Sequence, residues 1–327
     1  MRDPQLTRRK LLAVGLAGGL SAVGASACTA VDQAGKVTVA GGETGGFYLE
    51  FATLLAGLLQ REGVASSTET LITGGSLDNI RRVLSGEATF AVALADAAVR
   101  AAAGQEAASQ DGKDLVALGK VYENYVHCIV REDSGIRNVS ELAGRTAGVG
   151  EVGSGTSLTA DRILAAAGLA GGAAPGPVRQ VNLGLSEGLA ALKDGSIDVM
   201  IQSGGVPTAP IVGTADEVQL RLLDLSDLIQ PTRTLSGFFY DRVLIPAGTY
   251  GDAPAVWTLG VANLLLCRRD LADALARSTV QLLVERASEL VPASSAGVQF
   301  LSPETLINTA GVPLHPAAQA SYRELHG

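Results

Sequence analysis

From Val37 onward, the apolar positions of this chain fall into a repeating order: a short apolar run, a glycine-rich loop, then an amphipathic stretch. Short apolar runs bounded by glycine read as buried strands. Apolar residues recurring at intervals of three and four read as helices with one covered face. "VTVAGGETGGFYLEFATLLAGLL", from Val37, is such a strand, loop and helix, and "TAGVGEVGSGTSLTADRILAAAGL", from Thr146, repeats the order. Val39 aligns with Ala147, Gly42 with Gly150, Glu43 with Glu151 and Gly45 with Gly153, all at an offset of 108. A second pair follows, "GSLDNIRRVLSGEATFAVAL" and "GLSEGLAALKDGSIDVMIQS", each reading serine, helix, glycine, strand. Ser76 and Ser186 stand where a side chain caps a helix start, and Gly86 and Gly195 where a helix stops. The alternation predicts α/β layers, and the duplication predicts two similar lobes.

Two such lobes share a cleft, because ligands of open α/β sheets sit beyond the carboxyl ends of the strands. The glycine loops would line it from both sides. A helix amino terminus offers unpaired N–H groups and a partial positive charge. Two of them, at residues 44–48 and 153–157, predict a site for a small anion, a carboxylate above all. Tyr48, Ser154, Thr156 and Ser157 add hydroxyl donors. Glu43 and Glu151 lie in the same loops, where a carboxylate either pairs with a ligand ammonium or simply stabilises a helix start. If an ammonium is bound, an α-amino acid fits both ends of the site.

Phosphate is the competing anion. "GGETGGFY" lacks the Gly-Lys-Ser/Thr ending of a nucleotide loop. "GVGEVG", residues 148–153, matches a dinucleotide fingerprint, but the acid expected about twenty residues on is missing from "LAGGAA". His127 sits in an apolar run and reads as a buried, satisfied residue. No HExxH or paired His/Cys spacing indicates a metal, and no G-x-S-x-G elbow appears. Nothing in the chain asks for catalysis or a cofactor. Arg81 and Arg82 read as solvated or salt-bridged on a helix face.

The amino terminus changes the picture. "TRRKLLAVGLAGGLSAVGASAC" reads as basic, apolar, then small residues, the order of an export signal. Thr7 to Leu12 resembles a twin-arginine signal, and Ala25-Ser26-Ala27-Cys28 a lipoprotein processing site. Residues 1–27 are therefore expected to be a signal peptide, Cys28 a lipidated amino terminus and residues 28–36 a tether. The mature chain would stand on the outer face of the cytoplasmic membrane. The 327 residues carry a net charge of −8. Removing residues 1–27 takes Lys+Arg from 25 to 21 and Asp+Glu from 33 to 32, giving −11. Such a charge argues against nucleic acid as a partner.

Several stretches together resemble the TAXI-type solute receptors of tripartite ATP-independent periplasmic (TRAP) transporters. They are "GGETGGFY", "TGGSLDNIRRVLSGEA", "VHCIVREDSGIRNVSELAGRTAGVG", "GSGTS", "GVPTAP", "IPAGTY" and "LHPAA", in family order across the mature chain. The resemblance implies a two-lobed flytrap of the type II periplasmic-binding-protein kind. It also implies a small organic acid or acidic amino acid as ligand, such as glutamate or a related carboxylate, and a sodium-coupled membrane permease as partner. The loops matching the family's cleft positions are Thr44–Tyr48, Thr73–Ser76, Gly153–Ser157 and Gln202–Val206, with Thr44, Gly46, Phe47, Tyr48, Thr73, Gly75, Ser76, Ser154, Thr156, Ser157, Gln202, Gly204, Gly205 and Val206 as the candidate site residues. Leu49-Glu50 replaces the family's usual Tyr-Pro, and Leu94-Ala95-Asp96 its usual Gln-Ser-Asp, which makes the expected pocket less polar.

The expected architecture is a lobe of residues 37–124 with 261–327 and a lobe of residues 125–260. "YVHCIVRE" and "WTLGVANLLLCRR" are the crossing hinge strands. Cys128 and Cys267 then both fall at the hinge, where a disulfide stands as the alternative to two buried thiols. The expected function is capture and delivery of a solute, not catalysis. A flytrap serving an ABC importer or a sensor kinase, and an exported α/β enzyme, remain as alternatives.

Overall fold

The computed structural model describes residues 33–105, 112–171, 176–237, 239–293, 295 and 303–326. The expected signal peptide and Cys28 lie outside the described residues. The chain runs β1 (Ala34–Ala40), α1 (Phe47–Arg61), β2 (Ala65–Leu71), α2 (Ser76–Leu84), β3 (Phe90–Leu94), α3 (Ala95–Ala102) and β4 (Leu115–Arg131). It continues with β5 (Thr146–Gly148), α4 (Gly155–Ala166), β6 (Arg179–Val181), α5 (Leu185–Asp194), β7 (Val199–Gly204), α6 (Ala209–Glu217), β8 (Leu220–Leu222), α7 (Ile229–Ser236) and β9 (Tyr240–Ile245). It ends with β10 (Val256–Arg268), α8 (Asp273–Glu285), α9 (Pro303–Leu306) and α10 (Pro316–His326).

The sheet order is β2-β1-β3-β10-β4-β7-β5-β6, with β8 beside β4 and β9 beside β10. Read outward from the middle, the two flanks have the same plan. β3, β1 and β2 follow β10 on one side, and β7, β5 and β6 follow β4 on the other. Within each flank the strands are parallel, joined through helices. The duplication read from the sequence is thus a duplication of βαβαβ units.

Each flank is covered on both faces, which is why its inner strand, β3 or β7, is buried along its whole length rather than alternately. Phe51, Leu55 and Leu59 of α1 pack with Val280 and Leu283 of α8 on one face of the first flank. Ile80 and Val83 of α2 and the alanines of α3 cover the other face. Ile163 and Leu164 of α4 and Leu189 and Leu192 of α5 do the same for the second flank.

β4 and β10 belong to both flanks. They pair antiparallel from Tyr125 opposite Gly260 to Leu115 opposite Arg268. β3 is bonded to β10, and β7 to β4. Three details differ from the sequence reading. β1 begins at Ala34, where Ala34 pairs with Ala65, so the tether ends before residue 36. The N-caps of α2 and α5 are Gly75 and Gly184, not Ser76 and Ser186. Gly195, by contrast, ends α5 in the left-handed region as expected.

The third difference concerns the cysteines. Cys128 and Cys267 are both free and buried. Cys267 stands opposite Val116, and Cys128 lies twelve residues further along β4. At ~3.3 Å per residue the two are on the order of 40 Å apart, far beyond the reach of a bridge. Each belongs to the core of a different flank rather than to a common hinge position. Burial pushes the Cys128 thiol up to about 12 and raises that of Cys267 as well. We therefore expect neither thiol to react with iodoacetamide in the folded protein, both to react after denaturation, and reductant to leave Tm unchanged. Recovery of a Cys128–Cys267 peptide from an unreduced digest would contradict the register of β4 and β10.

Candidate functional site

The loops after β1, β2, β5 and β7 leave the carboxyl ends of their strands and converge between the flanks. They enclose a cavity of about 50 Å³ lined by Gly42, Glu43, Gly46, Phe47, Tyr48, Gly74, Gly75, Asn124, Glu151, Ser154, Gly155, Thr156, Gln202, Ser203 and Gly204. A single water needs ~10–15 Å³ of such space, so this is room for a small guest.

Two helices aim at the cavity. α1 begins after Gly46, which supplies no capping side chain. α4 begins after Ser154, whose Oγ accepts the Ser157 N–H at 3.0 Å. The opening residues of both helices line the cavity, so two partial positive charges meet there. Thr156 Oγ1 accepts the Ser203 N–H at 3.2 Å, locking its hydroxyl at the wall. The Tyr48 hydroxyl stands 3.4 Å from Ser76 Oγ. The Phe47 ring lines the cavity and meets the Tyr122 ring edge to face at 4.8 Å.

Among the described residues no Lys, Arg or His lines the cavity, but two carboxylates do. The position a Cβ would take on Gly184 lies 2.9 Å from Glu43 Oε2 and 3.1 Å from Glu151 Oε1, so the pair converges from opposite flanks on one point. Glu43 Oε2 accepts the Leu185 N–H at 2.7 Å. A residue of the first flank thereby caps α5 of the second, whose own N-cap is glycine. Burial raises the Glu43 pKa; the Leu185 bond pulls the other way, and the charges of Glu151 and Glu187 raise it further.

Other contacts join the flanks around the cavity. Leu77 N donates to Gly153 O at 3.3 Å. A Cβ on Gly205 would lie 2.3 Å from the Phe47 ring, so only glycine permits this approach. Behind the cavity, Asp96 of α3 is fully buried and paired with Arg162 of α4. It also accepts the Tyr240 hydroxyl at 2.8 Å, and Arg162 donates to that hydroxyl at 3.0 Å. Asp96, at the departure noted in the sequence, is therefore a contact between flanks.

Of the residues named from sequence, Glu43, Gly46, Phe47, Tyr48, Gly75, Glu151, Ser154, Thr156, Gln202 and Gly204 line the cavity. Thr44 is exposed on the loop. Thr73 is buried as a brace, bonded to Gly41 O at 3.0 Å and Asn79 Oδ1 at 2.6 Å. Ser76 Oγ accepts the Leu94 N–H at 3.1 Å. Ser157 accepts from Asn182 at 3.5 Å. Gly205 backs onto Phe47, and Val206 points into the apolar core of the second flank. Gly74, Gly155 and Ser203 also line the cavity and fall inside the cleft loops named from sequence, as Gly42 does in the first glycine loop; Asn124 lies in none of them. Asn124 had a visible signal, a polar residue inside the strand-like "YENY".

The other sequence candidates have structural partners. His127 Nε2 is 2.8 Å from the Tyr250 hydroxyl, and burial lowers its pKa to about 4, which keeps it neutral. Arg81 and Arg82 both pair with Asp78.

The model of the NMT1-like family matches residues 39–325. The chain belongs to the NMT1-like family. This is the family of TAXI-type substrate-binding proteins that the cleft motifs resembled, and its members are solute-binding proteins rather than enzymes. The NMT1-like chain is thus an extracytoplasmic solute-binding receptor. Its two-lobed type II fold recurs in solved structures at low identity. MatC from Rhodopseudomonas palustris, with bound malate, is 14% identical over 89% of this chain and 97% of its own, with a TM-score of 0.53. A periplasmic transporter is 13% identical over 89% and 93%, also at 0.53. XAC2383 from Xanthomonas citri, bound to chloride ion, is 14% identical over 89% and 95%, at 0.50.

Two outcomes follow from these contacts. Arg162→Ala leaves the buried Asp96 carboxylate without its cation and should destabilise the protein by about 3–5 kcal/mol. The double variant Asp96→Asn/Arg162→Met should recover most of that loss in denaturant melts. Glu43 has a folded pKa above its unfolded one, so its burial penalty is absent below about pH 4.5. It grows as pH rises through the folded pKa, and stability falls over that window. Glu43→Gln keeps an acceptor for Leu185 and removes the charge. Its Tm should exceed that of the parent at pH 7, with the gap closing near pH 4; a pH-independent gap would show that the charge is not the cause.

Proposed function

We propose that this receptor captures a small organic acid or acidic amino acid between its lobes and delivers it to a TRAP membrane permease. The observation carrying this reading is the meeting of two helix amino termini, one from each lobe, in a single small cavity. The solute carboxylate lies against the first-turn amides of α1 and α4, helped by the hydroxyls of Tyr48, Ser154 and Thr156. Neutral donors and dipoles hold the anion, and the cost of burying a second, unpaired cation is avoided.

The Glu43–Glu151 pair supports an ammonium group on the same solute. Two like charges converging on one point repel each other, and a cation between them offsets that repulsion. A glutamate-like zwitterion fits this pattern better than a simple diacid. The lobes of this reading are residues 37–124 with 261–327, and residues 125–260. The solute first meets one lobe of the open form, and closure completes its hydrogen bonds and excludes water. Lipid on Cys28 keeps the receptor near the permease.

Native mass spectrometry of freshly purified protein should find a co-purified small carboxylate. Calorimetry should then show Thr156→Ala weakening its binding by about 1–3 kcal/mol, with Thr156→Ser restoring it. Unaltered affinity in Thr156→Ala would remove the α4 tip from the site. In proteoliposomes holding the permease, uptake should follow a sodium gradient without ATP. ATP-driven uptake would point instead to an ABC importer.

A further inference from the structure

We infer that Asn124 and Asn263, with the Tyr122 hydroxyl, form a second polar subsite in the sheet beneath the cavity. It takes the end of the solute remote from the helix tips. The inference rests on the receptor reading above and concerns which solute that site accepts.

Three side chains carry it. Asn124 is 1% exposed and lines the cavity; its Nδ2 donates to Ser203 Oγ at 3.2 Å, while its Oδ1 has no partner. Asn263 is fully buried, and neither end of its amide is bonded. The Tyr122 hydroxyl is likewise buried and unpaired. In the β4–β10 ladder, Asn263 stands directly opposite Tyr122, and Val261 opposite Asn124. Opposed residues share a face, so all three side chains lie on one side of the sheet, with the two asparagines as diagonal neighbours. That side is the cavity side, because the Tyr122 ring packs on Phe47 and Tyr48. Asn263 also pairs with Leu94, whose side chain abuts Gly155 of the cavity wall. The ladder slips out of register immediately after Asn263. Such irregularities re-aim side chains next to binding sites.

Buried polar groups without partners are rare and each requires an explanation. Leucine at positions 124 and 263 would fill similar volume without leaving amides unbonded. The chemistry of the three groups defines what satisfies them. An amide oxygen accepts, a free amide both accepts and donates, and a phenol does either. Among the described residues no cation lines the cavity to neutralise a second carboxylate there. The remote end of the solute is therefore a neutral group that both donates and accepts, a carboxamide or a hydroxyl.

The test uses the mature protein, with L-glutamine, L-glutamate and L-malate as probes in calorimetry, and solute-free thermal melts. Asn263→Leu should leave Tm unchanged or higher, because an unbonded buried amide is removed, and Asn124→Leu should lower Tm by no more than the loss of its one bond to Ser203. The same variants should weaken L-glutamine binding at least about tenfold. L-Glutamine should bind the parent more tightly than L-glutamate. If L-glutamate binds more tightly, or both variants keep the parent affinity, the subsite is overturned while the receptor reading stands. If none of the three probes binds the parent, the glutamate-like receptor reading itself fails, and the subsite with it. Tyr122→Phe, the mildest change, serves should either leucine variant misfold, and it should weaken L-glutamine binding without lowering Tm.

Discussion

The pairing of β4 with β10 is the constraint on which the rest of the structure depends. Neither flank owns a complete sheet. β3 reaches its last neighbour only in β10, and β7 only in β4. Because these two long strands run antiparallel through the middle, the parallel strands on either side present their carboxyl ends toward one another. The loops that follow those ends then face across a common gap. A duplicated βαβαβ unit would otherwise yield two sites with half the donors each. Joined through shared strands, it yields one site with donors from both sides.

The electrostatics of that site follow from what the cavity lacks as much as from what it holds. An arginine clamp would bind a carboxylate strongly, but it would also leave a buried cation whenever the site is empty. Helix termini present only partial charges that are already part of the fold. In the proposed reading, the carboxylates of Glu43 and Glu151 bias selection away from solutes with excess negative charge. Shape adds a second restriction. The Phe47 ring makes one wall apolar, with Tyr122 packed edge to face against it, and the bare backbone at Gly205 lets the Phe47 ring come close.

Much of this was legible in the sequence, for reasons that can be stated. The strand–glycine–helix order reports backbone requirements that do not depend on tertiary context, so the two βα units and their cleft-facing tips could be read directly. Residue roles that depend on the other flank could not. Ser76 and Ser186 occupy plausible capping positions, yet Gly75 and Gly184 take the caps. The Ser76 hydroxyl turns instead to Leu94, and α5 receives its cap from Glu43, far away in sequence. Cys128 and Cys267 looked adjacent because both lie in crossing strands; only the register separates them. Asn124 is hidden for a similar reason. A polar residue in an apolar strand signals something unusual, but which face it occupies is fixed by the ladder. Val206 follows a cleft-lining stretch in sequence and still belongs to the apolar core, a placement fixed by its packing partners and not by its neighbours in the chain.

The bond from Leu185 to Glu43 ties a local conformation to a global one. The first turn of α5 has no capping side chain of its own, so its order depends on a carboxylate that arrives from across the cleft. Separation of the lobes would return that amide to water and let the turn fray. Under the proposed closure, the receptor carries its own indicator: the exchange rate of one backbone hydrogen reads out how often the lobes part, with no label attached to either.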